Sequence, residues 1–159
     1  MPSGRRLDAT DARILLALGR APRATAVALA DELGLSRNTV QSRLARLEQG
    51  DVLRSPEHRI DPAALGYPLT AFVTVQVTQR MLDEVGRSLA AVPEVLQVHG
   101  LTGPQDLLVH VVAADADDLY RIAGQMLEIP GVERTSNALV MREMVPYRLT
   151  PLLERAFDR

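Results

Sequence analysis

The sequence predicts an α+β protein in two parts, an N-terminal winged helix-turn-helix unit followed by a C-terminal ferredoxin-like βαββαβ unit. Three observations carry that prediction. Short links join three capped amphipathic segments before residue 50. A strand–helix–strand unit is written twice, at a shift of 37 residues, in the second half. The chain has 159 residues, 47% of them apolar, enough for one ordinary domain or two small ones. The implied boundaries are 1–61 for the helical unit, 62–68 for a linker, 69–142 for the sandwich and 143–159 for a C-terminal tail.

Composition narrows the function classes. With 24% charged residues and a formal net charge of −2, the chain is neither disordered in character nor strongly polyanion-seeking overall. No apolar run approaches the roughly 18 to 20 residues that span a bilayer. The absence of cysteine removes disulfides, thiolate zinc sites and cysteine nucleophiles, and three histidines are all that remain for imidazole chemistry. The opening Met1-Pro2-Ser3-Gly4-Arg5-Arg6 leads into a polar segment rather than an apolar signal core, so a cytoplasmic location is expected. All 18 basic residues are arginine, which fits a GC-rich coding bias. Their distribution is uneven: residues 1–61 hold 10 Arg against 8 acids, residues 62–159 hold 8 against 12. The first part is therefore the better partner for a polyanion.

In that first part, Ile14, Leu15 and Leu18 recur at helical spacing after Thr10 and Asp11, with Gly19 and Pro22 closing a helix over about 10–18. Thr25 can cap a second helix with Val27, Leu29, Ala30 and Leu33 inward, ended by Gly34. Ser36 can cap a third that runs to Gln49, where Gly50 stops it. The link Leu33-Gly34-Leu35-Ser36 is too short for an easy antiparallel pair and suits two helices that cross steeply, as in a DNA-binding helix-turn-helix. On the third helix, Val40, Leu44 and Leu47 form one stripe, while Asn38, Thr39, Gln41, Ser42, Ala45 and Arg46 face away or to the side. These are groove-reading residue types: amides match adenine, arginine matches guanine, hydroxyls reach bases or phosphate, and an alanine methyl meets thymine. The candidate DNA set is Ser36, Arg37, Asn38, Thr39, Gln41, Ser42, Arg43 and Arg46. Val52-Leu53-Arg54 and His58-Arg59-Ile60 flank Ser55-Pro56-Glu57 as a two-stranded wing, whose Arg54, His58 and Arg59 would touch phosphate. Asp61-Pro62 through Leu65-Gly66 reads as a helical linker turn.

In the second part, Leu82, Val85, Leu89, Val92, Pro93 and Val95 superpose on Leu119, Ile122, Met126, Ile129, Pro130 and Val132. Alternation predicts a strand near 69–78, another over Leu107–Ala113, and helices over about 81–91 and 116–128. Asp115, Asp117 and Asp118 sit at the positive end of the later helix. Both helices cover one sheet face. The other, with Thr70, Phe72, Thr74 and Gln76, is too polar for a core and too apolar for comfortable exposure, and is expected to pair sheet to sheet in a dimer. The hairpin Thr102-Gly103-Pro104-Gln105-Asp106 is a candidate ligand site, because small residues admit a close approach. A two-residue loop at 104–105 would set His99 across from His110, but Pro104 cannot take the positive φ of such turns, which argues for a slipped register. Two lone strand histidines read as packing residues rather than metal ligands.

The ordered set Leu7-Asp8, Asp11, Ile14-Leu15, Arg23, Leu29-Ala30, Gly34-Leu35-Ser36, Thr39-Val40, Arg43, Arg46-Leu47-Glu48, Gly50 and Val52 resembles the DNA-binding half of the Lrp/AsnC, or feast/famine, regulators. Asp61-Pro62 and Leu65-Gly66-Tyr67 are similar to that family's linker. Val98-His99, Leu101-Thr102-Gly103, Asp106, Gly131-Val132 and Arg134-Thr135 are similar to its effector domain. The resemblance implies a transcription regulator whose dimers assemble further, often into octamers, with an amino-acid effector held between neighbouring effector domains; two recognition helices of a dimer are expected on a near-palindromic site in double-stranded DNA, and no cofactor is expected. By position it implies effector contacts from His99, Leu101, Thr102, Gly103, Asp106, Thr135 and Asn137, with hairpin amides for a carboxylate and Asp106 for an ammonium group. Pro104-Gln105 departs from the polar–aromatic pair usual there, and Asn137 from a second threonine.

Two rivals are an amino-acid-binding scaffold without operator recognition and an enzyme similar to the siroheme decarboxylases. The histidine–asparagine–tyrosine segment of the latter is absent from Gln97-Val98-His99-Gly100-Leu101, and no GxSxG, HExxH or phosphate-loop pattern occurs, so no catalytic residue is assigned. Retained Asn38, Gln41 and Arg46 argue against the scaffold.

Overall fold

A computed structural model describes residues 7–50, 52–53 and 59–157. The described residues form two compact units, one from those within 7–53 together with 145–157, the other from 59–144.

The first unit contains α1 (Ala9–Arg20), α2 (Ala26–Leu33), α3 (Arg37–Gln49) and α6 (Thr150–Phe157). Helix α1 begins earlier than Thr10 and Asp11 suggest. Asp8 is its cap, because its carboxylate accepts the otherwise unpaired N–H of Asp11 at 2.9 Å while the Asp8 N–H donates to Asp11 at 3.2 Å. Thr25 and Ser36 cap α2 and α3 as the sequence predicts, accepting from Ala28 and Thr39. Between them Gly34 takes φ +66°, a left-handed conformation that costs a glycine little, and its N–H closes on the Ala30 carbonyl. The Arg13 guanidinium donates to the free Leu33 carbonyl at 2.6 Å, so α1 also caps the end of α2. Ala17, Leu29, Ala30 and Val40 form the core, with Leu18, Leu33, Leu35 and Leu44 against it.

Val145–Arg159, set apart in the sequence as a tail, belongs to this first unit instead. Its helix α6 packs on α1. Tyr147, Leu149 and Leu153 share a cleft of about 400 Å³ with Leu7, Leu15 and Leu53. The reason is apolar demand: a half-apolar helix gains by covering exposed leucines of its own chain.

The second unit runs β1 (Leu69–Val77), α4 (Leu82–Ala90), β2 (Val95–Gly100), β3 (Leu107–Ala113), α5 (Ala116–Leu127) and β4 (Val132–Leu139), with sheet order β2-β3-β1-β4. β1 lies between β3 and β4, antiparallel to both. Ala71, Val73, Val75 and Val77 point to the helices and pack with Leu107, Val109 and Val111. The duplicated positions meet there: Val85 and Leu89 of α4 and Ile122 and Met126 of α5 are all completely buried. Burying each such side chain is worth about 1.5–3 kcal/mol, which makes this layer the main support of the unit. Asp115 caps α5 through the Asp118 N–H. The expected linker turn is a short 3-10 helix, Pro62–Leu65, capped by Asp61. It groups with this second unit.

The hairpin register has slipped as Pro104 suggests. Gly100 pairs with Leu107, His99 with Leu108 and Gln97 with His110, leaving 101–106 as the loop. His99 and His110 are therefore diagonal neighbours on the outer face, not a facing pair.

Gly131 opens β4 at φ +94°, and a Cβ there would lie 2.8 Å from the Cβ of Met81. Gly86, inside α4, has open space around the same atom. Gly131→Ala should destabilise the protein by about 1–3 kcal/mol, through backbone strain and overpacking. Gly86→Ala should stabilise it by about 0.5–1 kcal/mol, by removing helix-interior glycine. Urea unfolding of both variants beside the parent checks the two opposite signs.

Candidate nucleic-acid interface and ligand site

Helix α3 divides lengthwise. Val40 and Leu47 are buried, Thr39, Arg43, Leu44 and Arg46 are half-buried, and Arg37, Asn38, Gln41, Ser42 and Ala45 are exposed. This exposed set is neutral apart from Arg37 and polar apart from Ala45. Ser36 and Thr39, both in the predicted DNA set, work inside the chain: their hydroxyls bond each other at 2.8 Å and Ser36 takes the Thr39 N–H.

Arg43 and Arg46, both in the predicted DNA set, turn toward α1. The Asp11 carboxylate, with only 3% of its side chain exposed, accepts from Arg43 at 3.0 Å and from Arg46 at 2.6 Å through each oxygen. Arg43 also bonds Asp8. The Arg43 guanidinium holds the Asp8 carboxyl below its usual range, helped by the Asp11 N–H, and Asp8 in turn raises Arg43. A helical wheel places both arginines beside the buried stripe, but it carries no information about what α1 presents there. The available signal was the pair Asp8 and Asp11, two acids on the first turn of a neighbouring helix.

In the predicted wing, Arg54 and His58 lie outside the described residues, and Arg59 is exposed.

The seven predicted effector residues fall into three places. His99 pairs with Leu108, which pairs with Thr74, so it stands on the outer sheet face. Leu101, Thr102, Gly103 and Asp106 form the hairpin end, where Gly103 takes φ +127°. Thr135 and Asn137 pair with the inward-facing Val75 and Val73, and so lie on the helix side of the edge strand β4. The hairpin and Thr135 approach each other across β1: the Asp106 N–H donates to the Val75 carbonyl at 3.0 Å, and Val75 pairs with Thr135 on its other flank. Asn137 lies further along β4, and His99 is on the opposite face.

Asp106 is already occupied by its own chain. Its oxygens accept from the Val77 N–H at 2.8 Å and from the Gln79 amide at 2.5 Å, while the Gln76 amide donates to the Pro104 carbonyl at 2.8 Å. These bonds fix the hairpin over the end of β1. Sequence reasoning missed Gln76 and Gln79 here, since neither is a ligand-type residue in isolation. Among the described residues, no three His, Asp or Glu side chains converge as a metal site.

On the outer face, Phe72 and His110 stack with ring centroids 4.8 Å apart and planes 22° from parallel. Burial, and then the nearby His99, lower the His110 pKa from its ordinary 6.5.

A helix-turn-helix unit joined to a βαββαβ unit with an open hairpin end defines the class: a DNA-binding regulator with a ligand-binding domain. Residues 7–48 match the AsnC-type helix-turn-helix domain and residues 70–150 the Lrp/AsnC ligand binding domain. The chain is similar to the HTH-type transcriptional regulator FL11 of Pyrococcus horikoshii, 31% identical over 136 residues, covering 86% of this chain and 90% of that protein. It is also similar to the HTH-type transcriptional regulator AldR of Mycolicibacterium smegmatis, 33% identical over 144 residues, covering 88% and 84%. Among solved structures, the feast or famine regulatory protein of M. tuberculosis complexed with L-methionine is 29% identical with a TM-score of 0.80, covering 90% of this chain and 97% of that one. The chain belongs to the Lrp/AsnC family of transcriptional regulators. It is a regulator and not an enzyme, which sets the decarboxylase resemblance aside.

Because His110 has a lower pKa folded than unfolded, the folded chain binds fewer protons between the two values. Its contribution to stability is complete above about 6.5 and declines as pH falls through that value toward the folded pKa. His110→Gln should flatten this part of the stability profile. Urea midpoints on either side of that window, for parent and variant, check it.

Proposed function

We propose that this regulator reads DNA with the exposed face of α3 and answers to an amino acid bound near the 101–106 hairpin. The observation that carries the DNA reading is the division of α3, with Val40 and Leu47 buried behind exposed Asn38, Gln41 and Ser42. Asn38 and Gln41 are suited to adenine, Ser42 to bases or phosphate, and Ala45 to a thymine methyl. Ser36 and Thr39 present the first turn of the helix, and Arg37, Arg54 and Arg59 supply phosphate contacts. Two copies set recognition helices in successive major grooves, about 34 Å apart, on a near-palindromic operator.

The effector is an amino acid; two similar regulators, from M. tuberculosis and Neisseria meningitidis, were solved with L-methionine. The Thr102–Gly103 segment and Thr135 offer hydroxyl and amide groups close to β1, with Asp106 positioning the hairpin. His99 and Asn137 would join the site through a neighbouring copy, since they do not converge with the hairpin in one chain. Homodimers form through the outer sheet face around Phe72 and assemble further, to octamers, with effector binding shifting the balance between assemblies. The working location is the cytoplasm.

The test is binding of the purified protein to its own upstream DNA and to random DNA, across salt, with and without amino acids, L-methionine first. Selective, salt-sensitive binding altered by one amino acid is the expected result; weak, unselective binding unaffected by any of them would overturn the reading. Gln41→Ala should cost about 1–3 kcal/mol on the selected operator and little on random DNA. Equal losses on both would remove Gln41 from base reading.

A further inference from the structure

Asp11 is the one charged residue buried among the described residues, at 2% exposure. A buried carboxylate demands positive partners, and α3 provides two, Arg43 at 3.0 Å and Arg46 at 2.6 Å. With Asp8 the cluster holds two negative and two positive charges and is neutral. The consequence falls on α3. Its two central arginines are turned toward α1, while the face left open carries Asn38, Gln41 and Ser42.

We propose that Asp11 is a positioning residue that sets DNA specificity: it holds Arg43 and Arg46 away from the duplex, so that neutral amide and hydroxyl groups dominate what α3 presents. The inference rests on the assignment of α3 to the groove made above. An arginine free to move binds phosphate on any sequence, adding affinity without discrimination. Locking two of them against a buried carboxylate lowers binding to random DNA more than binding to the operator, and the ratio between the two rises.

The experiment uses the full chain and two duplexes, one of random sequence and one enriched from a random pool by the parent protein. Asp11→Asn keeps the side-chain shape and the oxygen that accepts the Asp8 N–H, but removes the charge that holds Arg46. Each freed arginine that reaches phosphate should steepen the plot of log affinity against log salt by about 0.9. For one such contact, affinity for random DNA should fall about three- to fourfold further than in the parent between 50 and 200 mM salt. The preference for the enriched duplex should shrink. Asp11→Asn combined with Arg46→Gln should return the salt slope to that of the parent, a reversal that a purely structural role of Asp11 would not produce.

Arg46→Gln alone, which leaves Asp11 paired to Arg43, should leave the parent slope unchanged, and it decides the question even if Asp11→Asn fails to fold by circular dichroism. Two results overturn the inference while leaving the α3 assignment intact: a reduced slope in Arg46→Gln, which would put Arg46 on phosphate in the parent, or an unchanged slope in folded Asp11→Asn. If the parent enriches no sequence, and Asn38→Ala and Gln41→Ala change nothing, the α3 assignment itself fails and the inference falls with it.

Discussion

A carboxylate removed from water must be neutralised, and the first unit is arranged around that requirement. Asp11 sits on the first turn of α1 with almost no exposure, and its oxygens take hydrogen bonds from Arg43 and Arg46, residues more than 30 positions away. Removing one partner of a fully buried ion typically costs about 3–5 kcal/mol, and less here, because water reaches the Arg43 and Arg46 side chains, 25% and 42% exposed. The cluster therefore fixes the rotation of α3 about its own axis. Val40 and Leu47 alone leave that rotation soft, since an apolar stripe tolerates sliding in a way that directed, charge-assisted hydrogen bonds do not. Which residues face outward follows from it.

The second unit meets a different constraint. Its duplicated strand–helix–strand places two helices on one face of four strands, and that face is closed by Val85, Leu89, Ile122 and Met126. The other face carries no helix of this unit. Its middle rows hold Phe72 stacked on His110, with Thr74 and Leu108 beside them. Such a surface is partly apolar, with Phe72 37% exposed beside His110. The open end of the sheet is held by backbone-directed bonds from Asp106 and Gln76, so the hairpin is shaped before any ligand arrives.

The two units thus divide the physical work. In one, buried charge orients the polar exposed face of α3; in the other, apolar layers carry the stability and side-chain bonds hold the hairpin. Lrp/AsnC membership gives both a common purpose, regulation of transcription by a protein with a ligand-binding domain.

Local physics made much of this legible in the chain itself. Thr25, Ser36 and Asp115 cap their helices because a short acceptor next to free N–H groups needs no distant partner. Strand alternation and the 37-residue repeat determined the sandwich, because period and burial are coupled within each element. The motif order determined the family. What only the tertiary structure decided lies where two segments far apart in sequence compete for one group. Arg43 and Arg46 are residue types suited to DNA, yet Asp11 engages them; Asp106 is a typical ammonium acceptor, yet Val77 and Gln79 engage it. The tail from Glu143 onward carries Tyr147, Leu149, Leu152, Leu153 and Phe157, apolar residues that ask for a packing partner without naming it, and the fold supplies α1 to α6. A sequence states what each side chain is able to bond, and the fold alone determines which partner reaches it first.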